Sequence, residues 1–249
     1  MIEMIDLYKS FNGQKVLNGV NLKTFTKEIV TIMGKSGCGK SVLIKHLIGL
    51  LMPDSGSVLV DGVDITKLDA KGLDVIREKL GVLFQGGALF DSMSVEENVA
   101  FPLKEKTKLP GGEIRDRVMH ALEDVGLKEM GKKYPEELSG GMKKRAALAR
   151  ALITEPAIVI FDEPTTGLDP IISRSIHRLI RTTHEKYGYT ALIISHEVPG
   201  IFEITDRVAM LHLGVIEEIG TPEEISNSSN PVVRQFITGS LEGPIESLS

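Results

Sequence analysis

The sequence has no tryptophan, a single cysteine and only 5% aromatic residues, and it carries no excess of positive charge. One cysteine excludes an intramolecular disulfide, so stability has to come from core packing, as expected in a reducing compartment. A formal charge of −5 argues against nucleic acid held by bulk charge. The longest apolar stretches are interrupted, for example by Lys45 and His46, far short of the roughly 20 residues that span a bilayer. The start, Met1-Ile2-Glu3-Met4-Ile5-Asp6, has neither the basic nor the apolar part of a signal peptide. These absences lead us to expect a cytoplasmic chain that does not cross the membrane. Its 249 residues are enough for a sizeable core, as one large domain or two small ones.

What is present centres on Gly34-Lys35-Ser36-Gly37-Cys38-Gly39-Lys40-Ser41, which fits the phosphate-loop pattern G-x-x-x-x-G-K-[ST]. Before it, Glu28 to Met33 reads as a buried strand; after it, Val42 to Ile48 opens an amphipathic helix. Glycines let the backbone turn tightly and aim its N–H groups inward, where a helix N-terminus adds about half a positive charge. Lys40 is expected to reach the β- and γ-phosphates of a nucleotide, and the Ser41 hydroxyl to hold a magnesium ion. Cys38 sits where thiol pKa values tend to fall. Alkylation there is expected to block nucleotide binding, unless Cys38 merely fills a tolerant position.

Hairpin signals stand at Asn12-Gly13, between strands Ile5–Phe11 and Val16–Leu22, and at Asp61-Gly62. Phe11, with Tyr8 second, is either a base-stacking aromatic or an ordinary strand aromatic in the core. A helix near Leu73 to Lys79 leads into the strand Gly81–Gln85, and Gln85 stands where strand becomes loop. From Gly86 to Pro135 helices and loops replace strands. The clearest helix carries Ile114, Val118, Leu122 and Val125 on one face. Gly87 to Val95 reads as an apolar loop, either satellite core or a grip for a partner.

Leu138-Ser139-Gly140-Gly141-Met142 precedes a helix-favouring run, Lys143 to Leu152, and offers a second anion-binding helix N-terminus. The basic residues in its first turns oppose the helix dipole unless phosphate lies near. Ala157 to Phe161 reads as a parallel strand covered on both faces and ends in Asp162-Glu163. Beside a strand carrying the phosphate loop, Asp162 would hold magnesium through water and Glu163 would orient or deprotonate the attacking water. Another strand, Ala191–Ile194, ends in Ser195-His196, and His196 is placed to sense the γ-phosphate. Val208–Leu211 and Val215–Glu217 read as a hairpin, and Thr221-Pro222-Glu223-Glu224 as a capping box. Ser226 to Asn230 reads as a flexible link, and Gly239 to Ser249 as an exposed tail.

Taken in order, the phosphate loop, Gln85, LSGGM, Asp162-Glu163, Gly167-Leu168-Asp169 and His196 resemble the nucleotide-binding domain of an ABC ATPase over nearly the whole chain. The resemblance implies an α/β P-loop NTPase with a RecA-like core and antiparallel β-subdomain (1–85 and 155–225). It also implies an inserted α-helical subdomain (86–154) and a C-terminal extension (226–249). It implies ATP and Mg2+ as cofactors. Phe11, Gly34 to Ser41 and Val42 would contact the nucleotide, and Ser41, Gln85 and Asp162 the metal. Glu163, His196 and Gln85 become the catalytic set. Ser139, Gly140, Gly141 and Asp169 would serve the nucleotide of a dimer partner, making the protein a homodimer.

Met142 departs from the glutamine usual in ABC signatures. LSGGM with KKRAALARAL, and FQGGALFDSMSVEENVAFPL, resemble the ATPase subunits of Mla/Mce-type lipid transporters. That subfamily implies phospholipid or related cargo, permeases docking near 87–99, an Mce-type carrier and a place on the cytoplasmic side of the inner membrane. The segment from Asn230 to Pro244 resembles the extension by which that subfamily reaches over its dimer partner. The competing expectations are an ABC importer of a soluble solute, or a soluble ABC ATPase of translation or repair. The second usually has two cassettes or a long coiled-coil insertion, and neither is visible. A scaffold that does not hydrolyse ATP is opposed by the presence of both Glu163 and His196.

Overall fold

The computed structural model describes residues 1–246, so the last three positions of the expected tail lie outside the described residues. The chain divides into two compact units, Met1–Arg77 with Thr190–Ser249, and Glu78–Tyr189.

In the first unit, β1 (Ile2–Phe11) and β2 (Gln14–Lys23) form the expected hairpin, joined by Asn12 and Gly13, both at positive φ. Asn and Gly tolerate that left-handed turn with little steric cost. β4 (Ser55–Val60) and β5 (Val63–Asp64) complete a separate antiparallel sheet in the order β2-β1-β4-β5. The Asp61-Gly62 hairpin signal therefore falls at the turn between β4 and β5 of that sheet. β3 (Ile29–Met33) is fully buried and pairs in parallel with β8 (Thr190–Ile194) on one side and β9 (Arg207–His212) on the other. The strand beside the phosphate-loop strand is thus the one leading to His196; in sequence, Asp162-Glu163 was expected to follow that neighbour. Helix α1 (Lys40–Leu47) follows the loop, and α2 (Ala70–Glu78) begins in this unit. β10 (Val215–Gly220) turns back on β9 through Leu213-Gly214.

Beyond β10, α7 (Pro222–Ser226) starts with the expected capping box, Thr221 and Glu224 exchanging side-chain and backbone bonds. Ser226 to Asn230 is a built turn, contrary to the flexible link expected. Ser228 Oγ donates to Glu218 and accepts from the Asn230 N–H, and Asn230 caps α8 (Pro231–Thr238). The face of α8 carrying Val232 and Val233 packs with Met33, Val208, Met210 and Ile225, so the extension shares the core at the end of β3. Gly239 to Pro244 is exposed as expected, but Ile245 is half-buried against this core.

In the second unit, β6 (Leu80–Leu83) and β7 (Ile158–Asp162) form a parallel pair. Around them stand α3 (Val95–Lys106), α4 (Gly111–Asp124), α5 (Gly140–Leu152) and α6 (Pro170–Tyr187). The apolar stretch read as loop from Gly87 to Val95 ends in a helix that begins at Val95. Its onset is set by a capping box between Ser94 and Glu97, and Pro102 is accommodated inside the helix. Sequence reasoning also missed Asn98. It is fully buried, accepts from the Phe90 N–H at 2.7 Å and donates to the carbonyls of Phe90, Met93 and Ser94 at 3.0 Å each. One amide thus holds the whole 90–94 turn.

Replacing Asn98 with alanine strands buried backbone groups, each worth about 1–3 kcal/mol. We expect a clearly lower thermal midpoint, together with new protease cleavage between Phe90 and Ser94; an unchanged midpoint would show that water satisfies the turn.

Candidate active site

The two units each present functional side chains at the carboxyl ends of parallel strands. In the first unit, Ile32 pairs with Ile194, so Gly34 and His196 both stand two residues beyond that pair, at one edge. From Gly34 the chain turns through Lys35 to Gly39 into α1. The loop lies hard against its surroundings: a Cβ on Gly34 would meet the Leu211 carbonyl oxygen at 2.3 Å and Cys38 Sγ at 2.8 Å. Only glycine fits there.

α1 has no side chain capping its first N–H groups and no acid in its first turn. Those groups with the positive dipole end make a ready anion site. Lys40 is buried, and its ammonium donates to the carbonyls of Gly34 (2.6 Å) and Lys35 (3.0 Å), drawn across the mouth of the loop. Ser36, Gly37 and Ser41 are exposed, whereas Val42 is half-buried. Phe11 is exposed at the tip of the β1–β2 hairpin, with Lys9 Nζ 5.6 Å from its ring centre. The strand returning from that tip, at Gln14 to Val16, joins Lys35 to Cys38 in lining a cavity of about 360 Å³. Tyr8 lies over Gly19, where a Cβ would come within 2.8 Å of its hydroxyl, and like Phe11 it is exposed.

Cys38 overturns one expectation. Burial pushes its thiol above the ordinary value, and the nearby Lys40 charge offsets this only in part. Its helix-N-terminal position does not decide its pKa.

In the second unit, Leu83 pairs with Phe161, which puts Gln85 and Glu163 two residues beyond that pair at a common edge. Glu163 adopts φ 47°, uncommon for a residue with a side chain and frequent where strain serves a function. Its Oε2 accepts from the Thr166 hydroxyl at 2.7 Å, which fixes the carboxylate's direction. The buried Lys144 donates to the carbonyls of Gln85 and Glu163, so α5 is tied to both residues. Arg145 donates to Val125 O (2.7 Å) and Ser175 Oγ (2.8 Å). Lys144 and Arg145 in the first turns of α5 therefore direct their charge to protein acceptors, a tertiary pairing that no local signal in the sequence shows.

Ser139 caps α5, its hydroxyl accepting from Met142 N–H at 3.3 Å, and both it and Gly140 are exposed. A Cβ on Gly141 would meet Ile172 at 2.7 Å, so the signature loop is seated on the first turn of α6. Asp169 caps that helix through bonds to the N–H groups of Ile171 (3.0 Å) and Ile172 (3.1 Å). Within the second unit Asp162 and Gln85 offer carboxylate and amide oxygens, and within the first Ser41 offers a hydroxyl; each is a hard donor of the kind that suits Mg2+.

The comparisons agree with these features. Residues 17–166 match the family model described as ABC transporter. Over 244 residues the chain is 46% identical to the probable ribonucleotide transport ATP-binding protein mkl of Mycobacterium leprae, spanning 98% of this chain and 70% of that protein. Over 245 residues it is 40% identical to the intermembrane phospholipid transport system ATP-binding protein MlaF of Haemophilus influenzae, spanning 98% and 93%. Among solved structures it is similar to the dimeric ATP-binding cassette MJ0796 in a post-hydrolysis state bound to ADP and Pi. That match has a TM-score of 0.82 and 31% identity, over 89% of this chain and 99% of that one.

Two outcomes test the loop's chemistry. Gly34→Ala should abolish ATP binding measured by calorimetry and also lower the thermal midpoint, since the clash falls on the β9 backbone at Leu211 as well as on Cys38 within the loop. Iodoacetamide should label Cys38 more slowly at pH 8 than it labels a free cysteine, because a raised pKa lowers the thiolate fraction there. Labelling should accelerate as pH rises further; faster labelling than the free thiol would restore the activated reading.

Proposed function

The chain belongs to the ABC transporter family and is an ATP-binding, ATP-hydrolysing subunit; from that premise we propose that its cargo is phospholipid, moved between the inner membrane and the outer envelope. The observation that carries this is the identity to MlaF over nearly the full length of both chains. Members of the family act as dimers with membrane permeases. No helix among the described residues is long and apolar enough to cross a bilayer, so the membrane path belongs to other subunits. We place the protein on the cytoplasmic face of the inner membrane, with the permease received near 87–99 and an Mce-type carrier as a further partner.

At the site, Lys40 and the N–H groups of the loop bind the phosphates, and Phe11 stacks on the base. Ser41, Asp162 and Gln85 hold Mg2+, which when bound neutralises phosphate charge. Glu163, aimed by Thr166, orients the attacking water and takes its proton, while His196 senses the γ-phosphate. Ser139, Gly140, Gly141 and Asp169 act on the nucleotide of the partner subunit. Binding thus joins two copies, and hydrolysis releases them. The organisation we propose is a RecA-like core with β-subdomain (1–85 and 155–225), a helical subdomain (86–154) and a C-terminal extension (226–249).

A second cargo has specific support: the relative at 46% identity is named for ribonucleotide transport. Purification of the full chain with its membrane partners, followed by reconstitution in liposomes holding fluorescent phospholipid, separates the two. ATP-dependent phospholipid movement supports the proposal; ribonucleotide uptake without lipid movement overturns it. Glu163→Gln should lower kcat by about 10²-fold or more and leave ATP affinity intact; an unchanged rate would remove Glu163 as the base.

A further inference from the structure

The C-terminal segment does something beyond covering the core. After α8 the chain reverses at Gly239 and runs back so that Pro244, Ile245 and Glu246 line the same cavity as Lys35, Ser36, Gly37 and Cys38. Three contacts hold it there. Gln235 is buried, and its amide clasps the returning strand in both directions: Oε1 accepts from the Ile245 N–H at 2.6 Å, and Nε2 donates to the Ile245 carbonyl at 2.9 Å. Ile245 packs into the cluster containing Met33, the residue immediately before Gly34. At the end, Lys35 Nζ donates to the Glu246 carbonyl at 2.5 Å.

These contacts line up mechanically. The Lys35 side chain is held by the tail, while the Lys35 carbonyl accepts from Lys40, the ammonium assigned to the phosphates. One residue therefore links the tail to the phosphate-binding lysine. We propose that residues 235–246 form a strap that braces the outer arm of its own phosphate loop, making Gln235 a positioning residue for ATP binding. The proposal rests on the ATP-binding reading of the loop and not on the cargo. A clasped arm keeps the loop's N–H groups aimed before phosphate arrives, so less ordering is left for the nucleotide to impose. Coupling of this kind is reciprocal: a strap that tightens ATP binding must itself be held more firmly when ATP is bound.

Two variants loosen the strap at different points. Gln235→Leu removes the clasp. Gly243→Ala keeps every hydrogen-bonding group but sets a Cβ 2.4 Å from Gln235 Oε1 at a backbone φ of 147°, outside the core. In the full-length protein, each should raise the KM for ATP about fivefold, at the low end of coupling between sites, with kcat changed less than twofold. In the unaltered protein, ATP should slow amide hydrogen exchange at 243–246. Exchange in β9 and β10 of the variants should match that of the parent, which separates a lost brace from a damaged fold. Unchanged KM in both variants would overturn the strap. So would a lowered KM, since the tail would then be a plug competing with nucleotide. Protection of 243–246 that appears only as protein concentration rises would assign the tail to a partner subunit and overturn the bracing in cis. A parent chain that binds no ATP would instead overturn the nucleotide reading itself.

Discussion

The constraint on which the rest depends is an uncapped helix N-terminus that must be left open for an anion. Four N–H groups at the start of any α-helix lack internal partners, and most helices satisfy them with a side chain. In this chain Asp169, Ser139, Ser94, Thr221 and Asn230 do so for their helices; α1 and α4 have no side-chain cap, and of those two only α1 also lacks an acid in its first turn. Leaving those groups open while keeping them aimed requires a rigid frame. β3, buried along its whole length between β8 and β9, supplies one side of it, and the Leu211 carbonyl pressed against Gly34 supplies another.

A comparable economy governs the second unit. Glu163 sits on backbone that few non-glycine residues adopt, and its carboxylate is aimed by Thr166. The cost of holding it is shared with Lys144, a buried cation that also binds the carbonyl of Gln85. A buried ammonium is tolerated only where acceptors surround it, and here the acceptors belong to the two residues we propose for hydrolysis. The signature helix, Gln85 and the residue assigned to the base are consequently parts of one hydrogen-bonded group. A change in the seat of α5 has a direct path to Glu163.

Much of this was legible in the sequence because it is local. The Asn12-Gly13 and Asp61-Gly62 hairpins, the Thr221 capping box, the buried runs of β3, β7 and β8 and the glycine spacing of the phosphate loop each depend on a few adjacent residues whose backbone preferences agree. The start of α3 was missed although its capping box is equally local, because the apolar residues of the preceding stretch read as a loop. Asn98 was missed because its partners lie up to eight residues away and its value comes only from burial.

By itself the sequence determined the chemistry on offer: a loop that can cradle phosphate, a pair of acids closing an apolar strand, a second glycine-rich helix start, and a family order that joins them. The tertiary structure decided which charges are spent internally and which remain for a ligand. Burial, not position at a helix start, raised the Cys38 thiol; long-range carbonyls claimed Lys144 and Arg145; and a chain reversal more than 200 residues downstream brought Glu246 to Lys35. The physical reason is common to all three. Turn and capping preferences act between neighbours along the chain, whereas desolvation and hydrogen-bond pairing depend on which distant groups share a volume from which water has been removed.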